Sequence, residues 1–489
     1  PAATNALQAD VDELRRRLAA NRREQALLRS EEATLAQELA EREATLATAA
    51  SAPSTSSAAS SSASGSGEGS WAGAHPWDGD VARLLKSRFG HTSFRPLQRE
   101  VVNACLAGRD VFAILPTGGG KSLTFQLPPL LEPSGVTLVV SPLVSLMQDQ
   151  VRSLRRLSLR AELLAEGAVE RAQASAILAA LADAACSGLR FLYVTPERVA
   201  KSKLLLAKLQ TCYAAGRLQR VVVDEAHCCA AQGHDFRPDY LSLSTLRASF
   251  PNVPILALTA TASAAVVSDV SATLGLAASA VHFRGHFDRP NLRLEVRQKR
   301  SPAEQLDEMA AVATARHAGR PGIVYALSRA DAERVADGLS ERGVRAAAYH
   351  AGLEAAARQA VQRAWEEGAL QVVVATVAFG LGIDKPDVRF VLHHTVSKSL
   401  EAYYQEAGRA GRDGRPSDVI AWWRPADLYR LSSMAAEARD RRAAMAQLTA
   451  AGLYCEDVSC CRRERLASLF GQPLRWSNSG TLFTYPEKT

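Results

Sequence analysis

Seven residues, Pro116-Thr117-Gly118-Gly119-Gly120-Lys121-Ser122, combine the backbone freedom and the side chains that phosphate binding needs. They follow an apolar run, VFAIL (111–115), and precede a helical pattern. Three glycines let backbone N–H groups close around phosphate oxygens, Lys121 can reach the outer phosphates, and the Ser122 hydroxyl can ligate Mg²⁺. The strict pattern wants a glycine where Leu115 stands, so this segment alone also reads as an ordinary glycine turn. A second group narrows the choice. Val221-Val222-Val223 runs into Asp224-Glu225-Ala226-His227, which sets two carboxylates at the end of an apolar strand. Asp224 there can hold Mg²⁺ and Glu225 can polarise an attacking water. Together the two groups indicate nucleoside triphosphate hydrolysis. Far along the chain, Gln405-Glu406-Ala407-Gly408-Arg409-Ala410-Gly411-Arg412 sets two arginines three apart among glycines. These read either as surface loop charge or as an arginine finger that reaches the γ-phosphate when two domains close.

Elements that could position such residues are legible around them. Apolar, β-branched runs occur at 111–115, 136–140, 191–195, 221–225, 254–259, 322–326, 371–376 and 389–394, separated by longer helical patterns. Continuous apolar strands are buried on both faces, as in parallel sheets covered by helices, so the expected class is α/β with two sheets. After about residue 426 the strand signals stop and an Arg- and Ala-rich helical tail is expected. Upstream, Leu7, Val11, Leu14, Leu18, Leu28, Leu35, Leu39 and Leu46 form a heptad seam interrupted by Asn21, Gln25, Glu32 and Arg42. That seam reads either as a single solvated or folded-back helix or as a coiled coil giving homo-oligomers through residues 7–46. Residues 51–70 are half serine with no large apolar side chain, which predicts a flexible tether.

Composition bounds the class. The 489 residues are 47% apolar and 22% charged, which excludes wholesale disorder and a collagen-like chain. No uncharged apolar run approaches membrane-spanning length, so no membrane partner is expected. The formal charge is +7, but residues 1–50 carry seven arginines against nine acids, and Glu68 adds one more acid. Residues 71–489 therefore hold 51 basic and 41 acidic side chains, so the surplus that would suit a polyanion belongs to them. Eight scattered cysteines in a chain opening without a secretory signal point to reduced intracellular thiols.

The ordered set FRPLQ (94–98), PTGGGKS, SPLVSLMQDQV (141–151), YVTPERV (193–199), DEAH, HDFRPDY (234–240), LTATA (258–262), IVYALSR (323–329), YHAGL (349–353), VVVATVAFGLGIDKPDVRFVLHH (372–394) and YYQEAGRAGRDG (403–414) resembles the RecQ family of DNA helicases over about residues 75–460. The heptad segment is similar to that of the family's short branch. The resemblance implies two tandem RecA-like P-loop domains, at 71–284 and 285–425. An N-terminal helical (coiled-coil) segment at 1–50 and the tether at 51–70 would precede them, and a short, incomplete helical zinc module at 426–489 would follow.

It implies that Arg95 and Gln98 read adenine and that Thr117, Gly118, Gly119, Gly120, Lys121 and Ser122 hold ATP, with Ser122 and Asp224 on Mg²⁺. Lys121, Asp224, Glu225, Gln405 and Arg412 would act in catalysis. Gly382, Asp384, Arg409 and Arg412 would meet the nucleotide from the second domain, while His227 and Thr259 would link its site to the DNA cleft. DNA would be gripped by Ser141, Thr195, His234, Phe236, Arg237, Ser328 and Thr376. The implied function is ATP-dependent 3′→5′ unwinding of DNA, with single-stranded and forked DNA as partners, in nuclear repair or recombination. The alternatives are a DNA-stimulated translocase or annealing protein with weak unwinding, and, further off, a scaffold without catalysis.

Two departures qualify the resemblance. Where the family has Ser-Gln-Trp before Gly-His-Asp-Phe-Arg, this chain has Ala230-Ala231-Gln232. A stacked tryptophan contributes about 1–3 kcal/mol per base, so weaker unwinding is expected. The zinc module starts at Cys461-Arg462-Arg463 but the residues after it lack the later cysteine cluster, and a winged-helix domain is not expected within them. Cys455, Cys460 and Cys461 offer a partial ligand set with poor spacing, so bound zinc is not expected and the chain reads as cut short.

Overall fold

The computed structural model describes residues 71–132, 135–167, 169–183, 188–230, 237–379, 385–438, 440–472 and two short strands beyond. The heptad seam (1–50), the tether (51–70), Gln232, His234, Phe236, Gly382 and Asp384 lie outside the described residues.

Seven strands form the first sheet: β1 (Val111–Ile114), β2 (Val136–Val140), β3 (Arg160–Leu164), β4 (Leu189–Val194), β5 (Leu218–Val223), β6 (Ile255–Thr259) and β7 (Val281–Arg284). Their order is β3-β4-β2-β5-β6-β1-β7, and every pairing is parallel. Six strands form the second: β8 (Leu292–Gln298), β9 (Gly322–Tyr325), β10 (Ala346–Tyr349), β11 (Val372–Ala375), β12 (Phe390–His393) and β13 (Ser417–Trp423). Their order is β10-β11-β9-β12-β13-β8, again all parallel. The eight apolar runs read from the sequence all form strands. They are buried at nearly every position because helices cover both sheet faces, and completely so at β2, β6 and β12.

Five strands of these two sheets were not expected. Four of them, β3, β7, β8 and β10, are the outer edges of the two sheets. Exposure on their open side admits polar residues and breaks the apolar run, as in Leu292-Arg293-Leu294-Glu295. The fifth, β13, is fully buried and carries the apolar run Val419–Trp423.

Behind the second sheet come helices Pro425–Ala436, Arg441–Glu456 and Arg462–Leu469. The expectation that strands stop near residue 426 needs correction, since β14 (Leu474–Trp476) and β15 (Leu482–Thr484) pair antiparallel beyond them. Cys455 is buried, and the Cys460 thiol donates to Glu464 Oε2 at 3.7 Å. Among the described residues no three of His, Cys, Asp and Glu gather as a metal site, and no helix is long and apolar enough to cross a membrane.

A half-buried histidine makes the second sheet sensitive to acid. His394 follows β12, and burial, reinforced by the Lys299 ammonium, pushes its imidazole down to about 4 from 6.5; Arg334 and Arg430 add to this and Asp331 opposes it. Between those values the unfolded chain binds a proton that the folded chain refuses, so stability is full above pH 6.5 and is lost as pH falls toward 4. The expected loss is about 3 kcal/mol. Urea unfolding of the wild type and His394→Gln at several pH values checks it. A stability difference between them that ignores pH contradicts the assignment.

Candidate nucleotide site

The chain leaves β1 pinned to its neighbour, with Leu115 N–H donating to the Thr259 carbonyl at 3.0 Å. The loop that follows closes on itself, Gly119 N–H donating to the Pro116 carbonyl at 2.8 Å. Gly118 and Gly120 take φ of 81° and 78°, a left-handed region that a side chain would strain. A Cβ on Gly119 would sit 2.9 Å from the Pro116 oxygen, so all three glycines are needed for this path. Two residues brace it from outside. Gln98 Nε2 donates to the Gly120 carbonyl at 2.9 Å while its Oε1 accepts from Arg95 N–H at 2.8 Å, and the Arg95 guanidinium donates to the Gly118 carbonyl.

β5 delivers the two carboxylates to the same place. Asp224 N–H donates to the Val140 carbonyl at 2.9 Å, continuing the sheet by one residue. The chain then turns through Glu225 at φ 49°, a left-handed conformation costing roughly 1–2 kcal/mol for a residue with a Cβ. That turn aims Glu225 back at the loop, where its Oε1 lies 3.0 Å from Lys121 Nζ. Its Oε2 lies 3.3 Å from His227 Nδ1, and the same nitrogen lies 2.8 Å from Thr259 Oγ1.

The two carboxyls are driven apart. Burial, with the Glu225 charge adding to it, pushes Asp224 up to about 6. Burial also works against the Glu225 anion, but Lys121 and His227 outweigh it and hold that carboxyl well below the usual range. Asp224 accepts from Glu225 N–H at 3.0 Å and from Ser141 Oγ at 3.4 Å.

The second sheet closes the site. Helix Leu400–Ala407 ends in the Gly408–Arg412 turn, which lies directly on the glycine loop. A Cβ on Gly408 would be 2.9 Å from Thr117 Cβ, and one on Gly118 would be 3.0 Å from Arg412 Cγ. Gln405 Nε2 donates to Thr261 Oγ1 at 3.5 Å, and the Thr259 hydroxyl donates to the Thr261 carbonyl at 3.0 Å. A polar chain thus runs from Glu225 through His227 and the two threonines to Gln405. Arg409 takes another course: it is buried inside the second sheet's side, hydrogen-bonded to Tyr325.

The residues expected at DNA mostly stand just past strand carboxyl ends, where open α/β sheets bind ligands. Their hydroxyls are largely engaged within the protein. Ser141 is 1% exposed and bonds Asp224. Thr195 Oγ1 caps helix Pro196–Lys201 by accepting from Arg198 N–H at 3.3 Å. Ser328 Oγ donates to Asp331 at 2.7 Å and accepts from Arg430 Nη2 at 3.0 Å. Arg237 donates to the Pro142 carbonyl at 3.3 Å, and Thr376 is partly exposed.

Sequence reasoning missed Arg289. It lies between the last strand of one sheet and the first of the next, in no phosphate-binding pattern, yet it donates to the Thr117 carbonyl at 2.9 Å.

The DEAD/DEAH box helicase family matches residues 95–270, and the helicase conserved C-terminal domain matches residues 303–414. The chain is 45% identical over 398 residues to the rat ATP-dependent DNA helicase Q1, covering 81% of this chain and 63% of that protein. It is 46% identical to a putative ATP-dependent DNA helicase Q1 of Caenorhabditis elegans, covering 81% and 62%. The chain belongs to the RecQ helicase family. This RecQ chain spans less than two thirds of the length of these curated relatives. Its fold is shared with the DUF1998 helicase MrfA, solved with DNA and AMPPNP, at a TM-score of 0.59 and 18% identity over 72% of the RecQ chain and 51% of the other.

Proposed function

We propose that this RecQ chain hydrolyses ATP to drive 3′→5′ movement along single-stranded DNA and to part the duplex ahead of it, forked duplexes included. The observation that carries the reading is the Lys121–Glu225 pair at 3.0 Å beneath a turn that sets Arg412 on Gly118. An ammonium, a carboxylate and a guanidinium brought to one glycine loop from both sheets suit phosphoryl transfer, which needs positioning and charge more than covalent help.

Thr117 to Gly120 wrap the phosphates, and Arg95 and Gln98 stand where the loop meets the adenine. An incoming phosphate competes with Glu225 for Lys121. Once Lys121 turns to the phosphate, Glu225 is left as an ionised base able to orient water. Ser122 and Asp224 supply hard oxygen donors, which suit Mg²⁺, and the buried, charge-crowded Asp224 is stabilised by a cation. Bound there, Mg²⁺ would neutralise phosphate charge. Arg412 completes the charge around the γ-phosphate only while the sheets are closed, so hydrolysis follows closure. Gln405 reports that closure to His227 and Glu225 through Thr261 and Thr259. Gly382 and Asp384 would add contacts from the second sheet. DNA would lie along the strand ends near Ser141, Thr195, Ser328 and Thr376, and His234, Phe236 and Arg237 would grip it from the DEAH side. Residues 7–46 would pair copies of the chain, and the setting is nuclear DNA repair or recombination.

The sequence at Gln232 favours a second reading, a translocase that hydrolyses ATP but unwinds weakly. Steady-state ATP hydrolysis with and without single-stranded DNA tests the main one, with Lys121→Ala as the blank. Stimulation by DNA that the blank lacks is expected, and Gln232→Trp increases it. No hydrolysis above the blank would sink the proposal.

A further inference from the structure

We propose that the helical tail sets the rate of ATP turnover through Arg289. Helix Arg462–Leu469 fixes the segment joining the sheets, and that segment's Arg289 registers the Gly408–Arg412 turn on the glycine loop. The inference rests on the nucleotide reading above and adds a control point to it. Arg289 is a positioning residue in this scheme, acting through Arg412 and Thr117.

Arg289, beside the Gln405–Thr261 contact, ties the two halves of the site together. Its Nη1 donates to the Thr117 carbonyl at 2.9 Å and to the Gly408 carbonyl at 3.3 Å. Its Nη2 donates to the Ala410 and Gly411 carbonyls at 3.0 and 2.9 Å. One planar guanidinium thus spans the glycine loop of one sheet and the finger turn of the other, in a fixed fork that an ammonium cannot reproduce. Each 1 Å of error in placing Arg412 weakens a contact that counts only in the transition state.

What holds Arg289 is its own flanks. On one side the tail grips Gly285, Phe287 and Asp288. Arg463 forms a two-pronged bond to Asp288 at 2.7 and 2.8 Å. Phe470 stacks on Phe287 with ring centroids 4.2 Å apart and planes 13° from parallel. The Gln472 amide accepts from Phe287 N–H at 3.0 Å and donates to the Gly285 carbonyl at 3.1 Å. On the other side Asn291 Nδ2 donates to the Gly411 and Arg415 carbonyls at 2.8 and 3.0 Å. A forked ion pair, a ring stack and a backbone-reading amide all converge on the residues before Arg289. Loosening the tail therefore loosens Arg289 first, while Lys121 and Glu225 keep their own supports in the first sheet.

The test uses the full chain and two readouts. Arg463→Ala is expected to lower kcat on the order of 10²-fold, with Arg463→Lys in between. Affinity for a fluorescent non-hydrolysable ATP analogue should stay within about twofold, because the lost contact acts after binding. Arg289→Ala should match this pattern and Arg289→Lys should not rescue it. Gln472→Ala is the milder variant should Arg463→Ala fail to fold. Backbone hydrogen exchange should quicken in these variants at 117–119 and 408–411 and stay unchanged in β9. Turnover equal to wild type, analogue affinity falling in step with kcat, or unchanged exchange at both loops overturns the proposal. If the wild type itself turns over no ATP, the functional reading fails separately and the exchange result alone decides this one.

Discussion

Arg412→Ala lowers kcat for ATP hydrolysis by about 10³-fold or more and leaves nucleotide affinity nearly intact. The side chain crosses from the second sheet with its Cγ on Gly118, so in the proposed mechanism its guanidinium would meet the outer phosphate as it is transferred. A cation that neutralises charge developing on the outer phosphate stabilises the transition state more than the bound substrate, and its removal falls on kcat. Arg412→Lys recovers little, because a point charge on a shorter reach cannot bridge two phosphate oxygens from that position. Single-turnover hydrolysis and analogue binding separate the effects. Lost affinity at unchanged kcat would remove Arg412 from the role of finger.

Glu225→Gln is expected to cost between about 10² and 10⁴ in rate, the range for loss of a positioned base. The amide keeps the shape, and the turn at φ 49° tolerates it as well as it tolerates the acid. What disappears is the charge that polarises water. Because the carboxylate also competes with phosphate for Lys121, the variant should bind ATP at least as tightly as the wild type. Equilibrium binding beside steady-state kinetics checks both halves. Weakened binding together with retained turnover would contradict the assignment of Glu225 as base.

The glycine loop, the DEAH pair and the Gln405–Arg412 turn were legible because each is a short run whose residue types have few other uses in that order. The interior strands were legible for a related reason: burial on both faces demands unbroken runs such as Val136–Val140. Edge strands escape that demand, and β8, with Arg293, Glu295 and Arg297 between its apolar residues, looks like loop until its partner β13 is seen. The run Val419–Trp423 did carry a strand signal, masked by the Arg- and Pro-rich residues before it. Arg289 was illegible because its partners are main-chain carbonyls more than a hundred residues away in both directions. No spacing rule marks an arginine that binds backbone. The hydroxyls of Ser141 and Ser328 mark the reverse limit, since the family resemblance implied contacts to DNA, and the structure engages them with Asp224 and Asp331.

The central claim is an ATP-driven motor with a fixed direction on DNA. Unwinding of two partial duplexes, one with a 3′ single-stranded tail and one with a 5′ tail, tests it with ATP, Mg²⁺ and Lys121→Ala as the blank. Strand separation of the 3′-tailed duplex alone, abolished in Lys121→Ala, is the predicted result. Separation of both substrates by the blank as well as the wild type, or of the 5′-tailed duplex alone, would contradict the account.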